Sequence, residues 1–157
     1  MEVLKVGDIA ASKPITQDLD PHNQVDMFTK MMMPAVYNCT SEHMDFIAKS
    51  YAQQVKVLKF LGFDMVSIHL CYRGQLPTQF LSPLTNKRQD EYGGSLENRA
   101  KFPLQCLKAV REAAGRDMIV EILFSGEEPE GGYDMDEGIE FLKMAEPYVD
   151  VVQFRAG

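Results

Sequence analysis

The sequence predicts an α/β fold in which parallel strands alternate with helices. Three short segments rich in apolar and β-branched residues, at 64–69, 119–124 and 149–154, have the composition of strands. The segments between them carry apolar residues at helical spacing, bounded by capping residues and glycines. Strands joined by helical crossovers lie parallel in one sheet, so the order from residue 40 onward is helix then strand, three times over.

The first predicted helix begins at Thr40 or Ser41, either of which can cap it. Apolar residues then recur at helical spacing, and Gly62 ends the helix. The strand at 64–69 follows directly, and its last residue is His69.

A loop is predicted over residues 70–94, after the first strand. It leads into a second helix over 95–114, with Ser95 as its cap and Gly115 as its terminator. The strand at 119–124 comes next.

An acidic, glycine-rich loop over 125–133 follows the second strand, and we expect it to be a solvated, mobile lip. The third helix begins at Asp134 or Asp136 and runs to Ala145, ahead of the last strand. Residues 1–39 are poorly patterned, apart from a possible strand at 3–6.

Composition restricts the classes of partner. The net charge of −7 and the pI near 4.9 disfavour nucleic acid and anionic membrane surfaces, both of which require a basic footprint. No segment approaches the roughly 18 uninterrupted apolar residues of a membrane span. The N-terminus lacks the basic-then-apolar layout of a signal peptide.

Cysteine and histidine usage predicts neither a disulfide framework nor a metal site. The three cysteines, Cys39, Cys71 and Cys106, are widely spaced and form no CxxC pair, which suits a reducing cytoplasm. The three histidines are equally scattered along the chain.

The most informative segment is the run from Gln79 to Phe102, which reads QFLSPLTNKRQDEYGGSLENRAKF. It closely resembles the signature loop of the Old Yellow Enzyme family, the FMN-dependent ene-reductases, whose form is QFLSPxTNxRxDxYGGSxENRxRF. The matching residues are Gln79, Phe80, Leu81, Ser82, Pro83, Thr85, Asn86, Arg88, Asp90, Tyr92, Gly93, Gly94, Ser95, Glu97, Asn98, Arg99 and Phe102.

The resemblance implies part of a TIM barrel. A complete (β/α)8 barrel typically needs about 250 residues, whereas the chain has 157. We therefore expect a partial barrel with about three or four parallel strands and their crossover helices. The resemblance covers about residues 40–157, which are identified as a partial TIM-barrel flavin oxidoreductase domain, and touches residues 1–39 only faintly.

The resemblance also implies an activity. In the family, FMN takes hydride from NAD(P)H and passes it to an activated alkene, such as an enone or an enoyl thioester. The implied partners are a small-molecule substrate and either the remainder of the barrel or further copies of the chain. A stand-alone flavodoxin-like domain is less consistent with the sequence, because no glycine-rich phosphate loop directly follows a first strand.

His69 and Tyr72 are the candidate catalytic and substrate-binding residues. In the family, a His at the end of this strand and a His or Asn three residues later donate hydrogen bonds to the oxygen of an α,β-unsaturated carbonyl. Tyr72 occupies the later position here. The family's proton donor is a Tyr five residues after the His, where this chain has Gly74, so Tyr72 is also the candidate acid. The competing interpretation is a His69 satisfied by neighbouring backbone.

Arg73, in the same loop, is a candidate contact for a substrate carboxylate or phosphate, although a solvated arginine is the competing interpretation. Leu123 is the main departure, because the family has there an Arg that faces the flavin pyrimidine ring. No cofactor-binding residue is assigned from the sequence. The alternative function is that of a truncated or degenerate barrel fragment without flavin, acting as a structural or assembly module.

Overall fold

The computed structural model describes residues 33–155. The possible strand at 3–6 lies outside the described residues. At the start of the described range, residues 33–38 are helical, although the sequence shows little pattern there. Val36 and Cys39 from this region are buried in a small apolar cluster with Phe80 and Phe102. Tertiary packing, rather than local periodicity, accounts for this short helix.

Helix α1 spans Ser41–Phe60 and begins where the sequence predicts. Thr40 is its cap: the Thr40 side chain accepts a hydrogen bond from the His43 amide, and His43 Nδ1 accepts one from the Thr40 amide, each at 3.2 Å. Gly62 follows the helix with a φ of 85°, the left-handed conformation that glycine adopts without strain.

Strand β1 spans Met65–Leu70 and is followed by helix α2 over Leu76–Leu81. The prediction of a continuous loop over residues 70–94 is therefore wrong in its first half. Pro77 stands in the first turn of α2, where its missing amide proton costs nothing, and the helix buries Phe80 and Leu81. A helix of 6 residues is too short to show a periodic pattern of apolar residues in the sequence.

The remaining elements follow the predicted order. Helix α3 spans Leu96–Ala114, strand β2 Ile119–Ser125, helix α4 Met135–Ala145 and strand β3 Val151–Arg155. Ser95 caps α3 and Asp134 caps α4, which decides between the two predicted caps of that helix. Strand β3 begins two residues later than predicted, because a 3-10 turn over Glu146–Tyr148 extends the end of α4.

The three strands form one parallel sheet in the order β1-β2-β3, as predicted. One face is buried against the helices and includes Val66, Ile68, Val120, Ile122 and Phe124. The alternate residues of each strand lie on the opposite, more exposed face. His69 projects from this second face near the carboxyl ends of the strands. Parallel α/β folds place their chemistry at this edge of the sheet.

Helix α4 packs against the start of the loop after β2 at a glycine. A Cβ atom added to Gly138 would lie 2.2 Å from the Gly126 carbonyl oxygen, which is backbone and cannot rotate away. We expect Gly138→Ala to lower the free energy of unfolding by about 1–3 kcal/mol, as measured by urea denaturation. The matched change Glu140→Ala, on the exposed side of the same helix, should stay within about 0.5 kcal/mol of wild type. Equal stabilities for the two variants would contradict this close packing.

Candidate functional site

His69 is the next-to-last residue of strand β1, and it lies on the more exposed face of the sheet. It is paired in register with Leu123 of β2, and Leu123 is paired with Gln153 of β3. The His69 side chain is half-buried, and its Nδ1 is fully buried without a hydrogen-bond partner among the described residues. A buried ring nitrogen without a partner is unusual in a folded protein, and a ligand oxygen would satisfy it.

Tyr72 lies in the tight turn that follows β1. The Gly74 amide donates to the Cys71 carbonyl at 3.1 Å and closes this turn. Within it, Tyr72 has a φ of 55° and Arg73 a φ of 53°, so two consecutive residues with side chains adopt the left-handed conformation. The ring centroids of His69 and Tyr72 are 6.4 Å apart, and the Tyr72 side chain is 45% exposed. The structure therefore brings the two candidate catalytic residues together at one rim.

Arg73 is buried, so the interpretation as a solvated arginine is wrong. It is 7% exposed, and its Nη1 lies 3.0 Å from Glu128 Oε1 in the loop after β2. The side chain of Glu128 is also almost fully buried, which corrects the prediction that its whole loop is a solvated lip. Parallel neighbours β1 and β2 place their following loops at the same edge, which brings the two residues into contact. A contact between Arg73 and substrate stays a prediction.

The segment that resembles the family's signature loop, residues 79–102, is called the signature segment below. It is held in place by hydrogen bonds that its side chains donate to backbone carbonyls. The Asn86 amide group donates to the carbonyls of Phe80 and Tyr92, both at 2.7 Å. Arg99 is buried in α3 and donates to the Leu81 carbonyl at 2.9 Å. Arg88 donates to the Val36 carbonyl at 2.7 Å. These contacts support the structural interpretation of the segment, because they fasten α2 and its following loop beneath α3.

Leu123 places no charge beside His69, as the sequence indicates, and the charged side chain of β2 on this face is the acidic Glu121, two residues earlier. Arg155 of β3 is paired with Ser125, two residues beyond the row that contains His69 and Leu123. Because side chains alternate along a strand, Arg155 projects from the same face as Gln153, which lies two residues earlier. This is also the face of His69. No acidic side chain of residues 33–155 forms an ion pair with Arg155.

This face fits a flavin in part. His69 offers a buried nitrogen without a described partner, and Arg155 offers a cation that can face the electron-rich edge of a reduced flavin. Leu123 offers neither. The cation on β3 was missed in the sequence, because its relevance depends on the register of the third strand.

The three cysteines are buried thiols. Burial raises the pKa of Cys39 to about 11, although the nearby Arg88 guanidinium partly opposes this shift. Burial likewise raises the pKa of Cys71 and of Cys106. None of the three has the lowered pKa of a catalytic nucleophile.

We therefore expect iodoacetamide at about pH 8 to leave all three thiols of the folded protein unmodified, because the thiolate is the reactive form. Mass spectrometry should show rapid modification of the same thiols once the protein is unfolded in urea. Modification of Cys39 at the same rate in both states would contradict the burial of this thiol.

Within the described range, no group of three or more His, Cys, Asp or Glu residues is arranged to hold a metal ion. Among the helices that the structure describes, none has the length and apolarity needed to cross a membrane.

A parallel sheet with crossover helices, a histidine at its carboxyl edge and an adjoining signature loop together define a segment of a flavin-dependent oxidoreductase barrel. The sequence profile of the NADH:flavin oxidoreductase / NADH oxidase family matches residues 9–156. The chain belongs to this family, whose Old Yellow Enzyme type is FMN-dependent and uses NAD(P)H as reductant.

Individual relatives agree with this assignment. An NADH oxidase from Thermoanaerobacter brockii is 37% identical over 120 residues, which cover 75% of this chain and 18% of the oxidase. A cinnamate reductase from Clostridium sporogenes is 33% identical over 120 residues, which cover 67% of this chain and 18% of the reductase.

A solved structure confirms the partial-barrel fold. Morphinone reductase, as an N189A mutant in complex with tetrahydroNAD, has a TM-score of 0.60 and 34% sequence identity, and the match covers 74% of this chain and 33% of that one. Such neighbours are TIM-barrel enzymes. The chain thus spans about a fifth of the two curated relatives and about a third of morphinone reductase.

Proposed function

We propose that this chain supplies the substrate-binding rim of an FMN-dependent NAD(P)H oxidoreductase that reduces activated alkenes, such as enones or enoyl thioesters. The observation that carries the proposal is the pairing of His69 with Tyr72. A buried imidazole nitrogen without a described partner lies beside a half-exposed phenol, at the carboxyl edge of a parallel strand. The names of the relatives, cinnamate reductase and morphinone reductase, support a conjugated small-molecule substrate.

The chemistry of this pair suits a carbonyl. As hydride adds to the β-carbon of an α,β-unsaturated carbonyl compound, negative charge develops on the carbonyl oxygen. His69 and Tyr72 can both donate hydrogen bonds to that oxygen, and donors aimed at a developing charge stabilise the transition state. A bound flavin would supply the hydride, and Arg155 and His69 are the residues of this segment that we propose to face it.

The proton that completes the reduction goes to the α-carbon. The phenol of Tyr72, whose ring centroid lies 6.4 Å from that of His69, is a titratable donor in this turn, whereas Gly74 has no side chain to contribute. We propose that Tyr72 acts in sequence: its hydroxyl first donates to the carbonyl oxygen and then transfers its proton to the α-carbon, and solvent returns a proton to the resulting phenolate.

Replacement of Tyr72 by phenylalanine tests this role. We expect Tyr72→Phe to slow alkene reduction by about 10²-fold, the usual contribution of a positioned general acid. Stopped-flow absorbance of the flavin during reoxidation by an enone gives the rate. The matched change Tyr148→Phe, in the 3-10 turn ahead of β3, should leave the rate unchanged. An unchanged rate in Tyr72→Phe would remove Tyr72 from the mechanism.

The alternative function is that of a structural or assembly module without flavin, and Leu123 is the observation that favours it. With a leucine beside His69 in the register, β2 supplies no cation on this face, and its charged side chain there, Glu121, is acidic. A complete gene product that stays colourless after incubation with FMN would support this alternative, whereas a yellow protein supports the ene-reductase.

The partner of the sheet is proposed to be the remainder of a barrel. Strands β1 and β3 are the edges of the described sheet, and Met65, Ile119 and Phe154 are large apolar side chains left exposed on it. Further barrel strands would cover both edges and remove them from solvent. We also propose a reducing cytoplasm as the compartment, because the three cysteines are widely spaced along the chain and form no CxxC pair.

A further inference from the structure

The turn after β1 is held in a conformation that its own residues disfavour. Tyr72 and Arg73 both have a positive φ, and a side chain makes this region costly for each of them. Two such residues in succession persist only where the surrounding structure holds them, and they concentrate at functional sites.

The contacts that hold this turn come from Arg73 and Glu128. Arg73 Nη1 lies 3.0 Å from Glu128 Oε1, with side-chain exposures of 8% and 5%. The second carboxylate oxygen of Glu128 accepts a hydrogen bond from Ser82 Oγ at 2.6 Å. The carbonyl of Arg73 accepts one from the Gln79 amide group at 3.0 Å. Both ends of Arg73, backbone and guanidinium, are thus fastened.

Glu128 is itself anchored to β2. Its amide donates to the Tyr133 carbonyl at 2.9 Å, and the Tyr133 hydroxyl donates to the Ser125 carbonyl at 2.8 Å. The Tyr133 ring stacks on Phe124 in the core, with centroids 5.9 Å apart. The carboxylate is therefore presented to Arg73 from a fixed position.

We propose that Arg73 and Glu128 form an interloop clamp whose role is to hold Tyr72 beside His69. Arg73 is then a positioning residue that acts through Tyr72. This role replaces the contact with a substrate anion that the sequence predicts, because the guanidinium already pairs with Glu128. The existence of the clamp is independent of the activity proposed above. Its consequence for catalysis rests on that activity.

Hydrogen exchange of the full chain, without flavin or substrate, tests the clamp. The reporter is the Gly74 amide, which closes the turn on Cys71. We expect Glu128→Gln to accelerate its exchange by about tenfold or more, because a charge-assisted hydrogen bond between buried groups is lost. The matched control is Asp150→Asn, which removes the carboxylate that pairs with Arg111 at the opposite, amino-terminal edge of the sheet. The control should leave the Gly74 exchange unchanged.

Three further variants keep the test decisive. Arg73→Lys retains the charge and should keep most of the protection, whereas Arg73→Met should lose it. Ser82→Ala is a milder change that should accelerate exchange severalfold if Glu128→Gln does not fold. Unchanged exchange in the folded Glu128→Gln or Ser82→Ala variant would overturn the clamp, as would equal acceleration in Asp150→Asn. Since no catalytic step enters this measurement, its failure is distinct from a failure of the proposed reaction.

Discussion

Replacement of His69 by alanine should slow alkene reduction by about 10²- to 10³-fold, the usual cost of removing one donor from a developing oxyanion. The imidazole is half-buried at the carboxyl edge of β1, with Nδ1 buried and without a described partner. Its loss removes a fixed dipole from the place where we propose that the carbonyl oxygen lies. The measurement is the rate of flavin reoxidation by an enone under anaerobic conditions.

A variant that keeps a donor serves as the control for His69→Ala. His69→Asn retains an amide N–H at a similar distance from the backbone and should recover part of the lost rate. Equal rates for His69→Ala and wild type would show that the imidazole does not contact the reacting carbonyl. In that case the buried Nδ1 would have only a structural role.

Truncation of Phe102 should produce the largest loss of stability in the signature segment. Phe102 is fully buried in α3, and its ring lies edge-on to that of Phe80, with centroids 5.0 Å apart. The same apolar cluster includes Met44 and Ala48 from α1. Phe102→Ala would leave a cavity between three helices and should lower the free energy of unfolding by about 3–5 kcal/mol.

Urea denaturation monitored by circular dichroism measures this difference. The matched change Lys108→Ala lies on the exposed side of the same helix and should cost less than about 0.5 kcal/mol. If Phe102→Ala lost no more stability than Lys108→Ala, the signature segment would not depend on this core. The resemblance of this segment to the family's signature loop would then need an explanation other than packing.

Local signals in the sequence predict the helices and strands well, because capping and termination are local chemistry. Thr40, Ser95 and Asp134 each cap the helix that they precede. Gly62 and Gly115 each follow a helix with a positive φ. Such residues satisfy backbone groups that the helix leaves unpaired, so their position marks a helix boundary without knowledge of the rest of the fold.

Contacts between distant residues could not be predicted in this way. The ion pair of Arg73 joins it to a residue 55 positions later, and it exists only because β1 and β2 are neighbours in the sheet. The short helix α2 is likewise stabilised by its burial against α3, which no local pattern records.

The candidate site was predictable where a strand end defined it. His69 ends a β-branched segment, and parallel strands place such residues at one edge. Arg155 was missed, because only the register of β3 with β2 shows that it shares a face with His69. Knowledge of the register is therefore what turns isolated residues into a site.

One anaerobic experiment tests the central claim most directly. The complete gene product is incubated with FMN, freed of excess flavin, reduced with NADH or NADPH, and then mixed with the enone 2-cyclohexen-1-one. We predict that the bound flavin loses its visible absorption on reduction and recovers it when the enone is added, more slowly in His69→Ala. A protein that retains no flavin, or a reduced flavin that the enone leaves bleached, would contradict the assignment of His69 and Tyr72 to an alkene-reducing site.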